Sequence, residues 1–367
     1  MALAIGLMSG TSLDGMDAAL LEQDDQGRLF SRDFICQPYE QNFREALRSV
    51  FGGKGQVAAV EEELTRRHAG ICQALLEKSG LAAKDITVIG FHGQTILHEP
   101  QAGRTWQIGD GELLARLTGI PVVNDFRSAD VAAGGEGAPL APLYHAALSR
   151  ELEGPVAVLN LGGVGNVTWI GEAAGGADRS GDWLPSLLAF DTGPGNALLD
   201  DWVKAKAGIT CDLDGRLAFA GAVEEDALDQ LLSAPYFLRR PPKSLDRDAF
   251  NLRPIRGLST CDGAATLTAF TAAAVARAQA FFPAPVKRWL VCGGGRRNPA
   301  LMQELALRLA APLGPVENVN WNGDALEAEA FAYLALRCLA GLPLSLPGTT
   351  AVPKPQTGGH LHQPEAA

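Results

Sequence analysis

Positive charge is in short supply. The 367 residues carry 31 Lys and Arg against 42 Asp and Glu, a formal charge of −11. A protein this acidic repels polyanions, so a general nucleic-acid binder and an anionic-membrane binder are both excluded. Cysteine is sparse and scattered: Cys36, Cys72, Cys211, Cys261, Cys292 and Cys338 form no C-x-x-C pair. That excludes a zinc site of the usual spacing, and a disulfide framework is not expected in so long a chain. The six are read as reduced core thiols. Long apolar runs are missing too. The longest, 264–276, contains Thr266, Thr268 and Thr271 and stops at Arg277, too short to span a bilayer. The start lacks a basic region and meets Asp14 and Asp17 early, so no signal peptide is expected and a soluble cytoplasmic enzyme is. Several catalytic signatures are also absent. There is no G-x-x-x-x-G-K-[ST], no G-x-G-x-x-G after a strand, no H-E-x-x-H and no G-x-S-x-G.

What is there begins with length. A chain of this size suits two α/β domains better than one core. Residues 3–8 and 16–22 read as strands joined by a polar loop, GLMSGTSLDG at 6–15. A third strand follows at 30–36, then helices at 41–51 and 57–79 from apolar spacing near 3.6. ITVIGF (86–91) reads as a buried strand ending at His92-Gly93-Gln94. A short strand at 106–108, a helix at 111–118, a strand at 121–126 and a glycine-rich loop at 131–142 complete the first half. The pattern then restarts: strand 156–163, a tight turn at Val164-Gly165-Asn166, strand 167–171, and LLAFDTGPGN (187–196) running from strand into helix. Helix 262–280, a strand into the glycine turn RWLVCGGG (288–295), a helix opened by Asn298-Pro299, and helix 325–340 follow. Each half is thus headed by its own glycine- and hydroxyl-rich hairpin.

Gly10 and Gly15 permit positive φ and close approach of a ligand to the backbone, and successive amides in such a turn make an anion-binding nest. Thr11 and Ser12 add hydroxyl donors. Gly162, Gly163, Gly165 and Asn166 repeat the arrangement. Taken alone, each loop reads first as a tight turn that needs glycine; two at matching positions reverse this and favour a shared polyphosphate. Asp14 and Asp17 suit Mg²⁺ held through water. Asp191 stands at a strand end, either as a general base or as a helix N-cap. Gly293-Gly294-Gly295 with Asn298 makes a backbone platform at a helix start, or simply a turn. Glu327 and Glu329 lie early in a helix, where negative charge is favoured. His92 is either a ligand-side donor or a satisfied turn histidine.

GLMSGTSLDGMDAAL, GFHGQT, QIGDGELLA, PVVNDFRSADVAAGGEGAPLAP, LNLGGVGNVT, FDTGPGN, PPKSLDRDAF, VCGGGRRN and EAEAFAYLA, in this order from Gly6 to about Ala340, resemble the anhydro-N-acetylmuramic acid kinase family. That family lies within the superfamily of acetate and sugar kinases, Hsp70 and actin. The resemblance implies two ribonuclease-H-like α/β domains with ATP in a cleft between them. It implies a first phosphate loop at Gly10, Thr11, Ser12, Leu13, Asp14, Gly15, Met16 and Asp17. A second falls at Gly162, Gly163 and Asn166, and an adenosine-side turn at Gly293, Gly294, Gly295 and Asn298. It puts the catalytic base at Asp191 and sugar-engaging residues at His92, Gln94, Arg127 and Glu327, with ATP and Mg²⁺ as cofactors and no resident protein-held metal.

The substrate implied is 1,6-anhydro-N-acetylmuramic acid, in cell-wall recycling, and a homodimer that closes on binding its ligands is the expected form. Two positions depart from the family pattern, Gly165 in place of a common alanine and Arg296-Arg297 after the triple glycine; either can alter nucleotide binding. The expected division is an N-terminal domain at 1–150, a C-terminal domain at 151–345 whose last helix, 325–345, can pack back on the first, and a flexible tail at 346–367. The alternatives are a plain sugar or carboxylate kinase of the superfamily and an Hsp70- or actin-like nucleotide switch.

Overall fold

The computed structural model describes residues 1–172, 186–245 and 249–364. Asp246, Arg247 and Asp248 of the PPKSLDRDAF motif, and residues 365–367 of the tail, lie outside the described residues. In chain order the strands are β1 (Ala2–Ser9), β2 (Gly15–Gln23), β3 (Leu29–Pro38), β4 (Val88–Glu99), β5 (Arg104–Ile108), β6 (Val122–Asn124), β7 (Val156–Leu161), β8 (Val164–Ile170), β9 (Leu187–Pro194), β10 (Arg288–Cys292), β11 (Leu313–Pro315) and β12 (His360–His362). The α-helices are α1 (Gln41–Ser49), α2 (Val57–Ser79), α3 (Gly111–Thr118), α4 (Ser128–Ala132), α5 (Pro142–Leu148), α6 (Ala197–Ala207), α7 (Arg216–Ala220), α8 (Glu225–Leu232), α9 (Thr260–Ala278), α10 (Pro299–Arg308), α11 (Leu326–Leu339) and α12 (Pro347–Thr350). The chain forms two compact units. Unit 1 holds residues 1–150 and 325–364, and unit 2 the described residues from 151 to 324.

Each unit has one mixed sheet. In unit 1 the order is β12-β6-β4-β1-β2-β3, with β5 pairing β4. β1, β2 and β3 form an antiparallel meander, and β4 and β6 run parallel to β1. In unit 2 the order is β11-β10-β7-β8-β9, again an antiparallel meander (β7, β8, β9) with two parallel strands (β10, β11) on its other side. Five strands have the same order and direction in both units, with β5 and β12 added antiparallel in unit 1, the plan of a ribonuclease-H-like sheet. The repeat seen as two glycine hairpins is therefore a repeat of topology.

β1 is buried on both faces because helices cover both. Ile5 and Leu7 share a core cluster with Leu64, Ile71 and Leu75 of α2, where apolar residues recur at helical spacing. On the other face, a Cβ on Gly6 would stand 1.7 Å from the Ala328 carbonyl oxygen, and one on Gly90 2.0 Å from that of Phe331. Helix α11 thus lies on the glycines of β1 and β4, and its alanines (Ala328, Ala332, Ala335) permit the approach. Gly90→Ala is expected to destabilise unit 1 by about 1–3 kcal/mol or more through overpacking, read as a lower denaturation midpoint. In unit 2, Ser259 caps α9 by accepting from the Asp262 N–H. This is the longest apolar run of the sequence, and it is a core helix. Thr266 and Thr268 donate back to the carbonyls of Asp262 and Ala264, which lets hydroxyls sit in an apolar setting. Among the described residues no helix is long and apolar enough to cross a membrane.

Several expectations fail locally. β4 does not end at His92. It continues to Glu99 because Gly93 takes φ 71° and a register shift against β1 carries the strand past the irregularity. Strand 121–126 shrinks to Val122–Asn124, with Asp125 turning the chain at φ 52°. Helix α4 forms where the glycine-rich loop was expected to begin. Val164-Gly165-Asn166 belongs to β8, so the second hairpin turns on Gly162-Gly163 alone. The segment after Pro347 is not frayed through residue 364: Ser345 and Gln356 form a β-bridge, and β12 adds antiparallel to β6. Backbone pairing anchors a segment whose composition alone reads as loop. None of the six cysteines forms a disulfide; only Cys72 and Cys292 are buried, while Cys36 and Cys211 are exposed.

Candidate functional site

In unit 1 the loop between β1 and β2 is closed by the Leu13 N–H donating to the Gly10 carbonyl at 3.1 Å. The expected positive φ at a loop glycine falls instead on Leu13, at 57°. Its side chain is buried, as is that of Met16, so these two can offer a ligand only backbone. Gly15 is glycine for packing: a Cβ would meet the Gln37 carbonyl oxygen of β3 at 2.5 Å. Gly10 is the open position, with nothing nearer its Cβ direction than Ser12 Oγ at 3.5 Å. Thr11, Ser12 and Asp14 are exposed, and Ser12 donates to Asp14 Oδ1 at 2.8 Å. Asp17 follows, half-buried on β2.

Beside this loop lies a buried polar cluster. His92 Nδ1 donates to the Gly93 carbonyl at 2.7 Å, which leaves Nε2 as an acceptor. Arg127 fills it, Nε at 3.2 Å and Nη2 at 2.9 Å, while Nη1 donates to the Gly137 carbonyl at 2.7 Å. Burial and the Arg127 charge hold His92 neutral, well below its ordinary pKa, and burial lowers Arg127 to about 10, still a cation. Three of the five guanidinium N–H groups are held, and two remain for an anionic ligand. Gln94 is fully buried, accepting from Ser9 Oγ at 2.7 Å and donating to the Thr95 carbonyl, so it supports the cluster from beneath. Ser9 also bonds the Tyr39 hydroxyl at 2.8 Å. Glu327 stands exposed in the first turn of α11, where the Gly6 and Gly90 contacts set the helix. Surrounding protein raises its carboxyl pKa, Arg127 opposes, and Asp17 and Asp14 add to the rise. Water reaches the carboxylate, so that desolvation is partial.

In unit 2, Gly162 and Gly163 are open, with no atom nearer than 3.5 Å to an added Cβ. Asn166 of β8 pairs in register with Asp191 of β9, where a bulge places Thr192 out of the ladder. Bulges re-aim side chains next to functional sites. Asp191 lies five residues before Asn196, the N-cap of α6, which disposes of the capping alternative. It is clasped instead. Its N–H donates to the Lys243 carbonyl at 3.0 Å, its carbonyl accepts from the Tyr236 hydroxyl at 2.6 Å, and its Oδ2 accepts from the Leu245 N–H at 2.8 Å. Oδ1 receives no hydrogen bond from the described residues. Burial raises the Asp191 carboxyl to about 7, against smaller lowering by the Leu245 N–H and Lys243. Lys243 is itself buried, over the rings of Tyr236 at 4.5 Å and Phe281 at 4.7 Å. Burial, with Arg239, brings its ammonium down to about 8, and Asp191 opposes the fall. Such an arrangement makes a carboxylate that takes a proton near neutral pH. Tyr236, Lys243 and Leu245 carried no assigned role in the sequence reading; PPKSLDRDAF was the signal for Lys243 and Leu245, and Tyr236 lies outside it.

The glycine turn after β10 is less open than expected. A Cβ on Gly293 (φ 74°) would stand 2.3 Å from Asn160 Oδ1, and one on Gly295 2.6 Å from Leu161 Cβ; only Gly294 faces open space. Asn298 Oδ1 caps α10 by accepting from Ala300 and Leu301 N–H. Arg296 donates to the Gly293 carbonyl at 3.0 Å and pairs with Glu317 and Asp324, so it braces the turn from inside. Gly165 leaves room for the Thr192 hydroxyl, 2.9 Å from where a Cβ would stand. Among the described residues no group of three or more His, Cys, Asp or Glu can hold a metal ion.

A protein of Paramagnetospirillum magneticum named anhydro-N-acetylmuramic acid kinase is 58% identical, covering 99% of this chain and 100% of its own. One of that name from Rhodospirillum rubrum is 54% identical, covering 97% and 93%. Among solved structures, a ROK family glucokinase from Streptomyces griseus is 15% identical, covers 91% of this chain and 99% of its own, and has a TM-score of 0.39. A likeness of that size says nothing of chemistry. The family described as anhydro-N-acetylmuramic acid kinase matches residues 2–363. From its first strand to its last, this chain belongs to the anhydro-N-acetylmuramic acid kinase family.

Proposed function

We propose that this chain is an ATP-dependent kinase that hydrolytically opens the 1,6-anhydro ring of 1,6-anhydro-N-acetylmuramic acid and phosphorylates O6. The products are N-acetylmuramic acid 6-phosphate and ADP, in peptidoglycan recycling in the cytoplasm, with a homodimer as the working form. Family membership motivates the substrate. The observation that carries the chemistry is Asp191, clasped through three bonds, with Oδ1 unbonded among the described residues and its carboxyl raised to about 7 by burial. Asp191 takes a proton from water, and the water oxygen bonds to C1. The C1–O6 bond breaks, and O6 bonds to the γ-phosphorus of ATP as the bond to the β-phosphate oxygen breaks. Arg127 holds the lactyl carboxylate with its two remaining N–H groups. Glu327 engages the sugar hydroxyls. Gly10 to Asp14 and Gly162 to Gly163 offer backbone amides to phosphate oxygens, and Gly294 the open face towards adenosine. Asp14 and Asp17 would hold a Mg²⁺ ion accompanying ATP, which would neutralise phosphate charge.

A coupled ADP-release assay across amino sugars tests the reading. Turnover with the anhydro sugar, and not with open-chain or 6-hydroxy analogues, is expected; preference for a plain hexosamine would refute it. The pH profile adds a second expectation. Activity falls below about pH 7 as Asp191 protonates. Lys243→Met removes a positive neighbour and moves that acidic limb upward by about one pH unit, whereas Lys243→Arg leaves it in place. An unmoved limb in Lys243→Met would show that this ammonium does not tune the base.

A further inference from the structure

Asp130 is a charged side chain that the proposed reaction does not use, yet it is among the most buried in unit 1, 2% exposed within α4. Its carboxylate meets three donors and, among the described residues, no cation at ion-pair distance. Oδ1 accepts from the Gly137 N–H at 2.7 Å, and Oδ2 from the hydroxyls of Thr350, at 2.6 Å, and Ser345. The Gly137 residue is held at both ends. Its N–H points to Asp130 and its carbonyl accepts Arg127 Nη1. It also takes φ 68°, with a Cβ position 2.7 Å from Val131 Cγ2, so no other residue relaxes into its place. From the far side, the Glu136 N–H donates to the Thr350 carbonyl at 2.6 Å. Three contacts from 345–350 therefore converge here, two on Asp130 and one on the loop that carries Gly137.

We propose that Asp130 is a positioning residue for sugar binding. Through Gly137, whose N–H and carbonyl face the two side chains, it fixes the aim of Arg127, and the hydroxyls of Ser345 and Thr350 fix Asp130 in turn. The inference rests on the reading that Arg127 holds the lactyl carboxylate. His92 grips one edge of the guanidinium and the Gly137 carbonyl the other. Losing the second grip lets the two unheld N–H groups swing. The C-terminal segment, expected to be a loose tail, then belongs to the specificity apparatus.

The test measures KM for the anhydro sugar, KM for ATP and kcat in full-length Asp130→Ala, Asp130→Asn and Thr350→Val. A misplacement near 1 Å can cost about 100-fold, so Asp130→Ala is expected to raise sugar KM by roughly 10- to 100-fold with ATP KM and kcat little changed. Asp130→Asn keeps an acceptor for the Gly137 N–H, and hydroxyls can turn to accept from its amide, so it restores most of the affinity. Thr350→Val, the milder change if Asp130→Ala fails to fold, is expected to raise sugar KM by about three- to tenfold, below the range for Asp130→Ala because Ser345 and the Gly137 N–H still hold the carboxylate. Parental sugar KM in every folded variant, whatever the loss in melting temperature, would overturn the proposal and leave Asp130 a structural residue only. Arg127→Ala run alongside separates the failures. If it raises sugar KM and the Asp130 variants do not, only the positioning role falls; if it leaves sugar KM unchanged, the Arg127 reading falls and the proposal with it. In the double variant, Asp130→Ala is expected to add nothing to Arg127→Ala.

Discussion

Asp191→Asn lowers turnover of the anhydro sugar by about 10²–10⁴-fold, the usual contribution of one general base, with nucleotide affinity close to that of the parent. Asn keeps an oxygen for the Leu245 N–H and leaves the backbone bonds to Lys243 and Tyr236 in place, so the site keeps its shape and loses its base. The same substitution has a stability signature. The folded-state carboxyl is raised from 3.8 to about 7. Proton binding therefore favours the folded state fully below the unfolded value near pH 4, and that advantage is lost as pH rises through 7. Above pH 7 the ionised carboxylate costs the folded state on the order of 2–4 kcal/mol, since each pKa unit is about 1.4 kcal/mol. Asp191→Asn is accordingly expected to melt higher than the parent above pH 7 and at the same temperature below pH 4. An inactive variant that is less stable at pH 8 would instead point to a damaged site.

Arg127→Ala is expected to weaken the anhydro sugar by about 2–5 kcal/mol, some 30- to several-thousand-fold in KM. Two effects add. The lactyl carboxylate loses two charge-assisted bonds, and the His92 Nε2 and the Gly137 carbonyl lose their buried donor. Arg127→Lys recovers little, because an ammonium cannot hold the imidazole, the carbonyl and a carboxylate in one planar fork. An anhydro sugar without the lactyl group discriminates: its KM is expected to respond far less to Arg127→Ala. Equal losses for both sugars would mean that Arg127 serves the fold of the β4–α4 region instead.

The strand plan was legible because buried strands and glycine turns recur in the same order twice. GLMSGTSLDG and LNLGG each mark a meander's first turn, and the parallel strands follow at ITVIGF and RWLVC. What was not legible depended on distant partners. The role of Gly6 and Gly90 lies in a helix more than 230 residues away in sequence, so nothing local distinguishes them from turn glycines. Leu13 takes the left-handed conformation because its side chain is anchored in the core, against its local preference. β12 forms on backbone pairing with β6, which its composition does not announce. At the site, Asp191 was legible as a carboxylate at a strand end before a glycine turn. Its clasp was not, because Tyr236 and Leu245 reach it from a segment without regular periodicity. His92 and Gln94 were legible as polar residues in an apolar strand, but their partners make them supports of Arg127 and Ser9.

The central claim is that one carboxylate uses water to open the sugar bridge as O6 is phosphorylated. Running the reaction in ¹⁸O-labelled water, with prompt mass analysis of the phosphorylated sugar, measures this directly. One ¹⁸O atom at C1 and none in the transferred phosphate is the predicted result. A phosphorylated product with no label at C1 would mean phosphorylation of an existing hydroxyl, and would contradict the account.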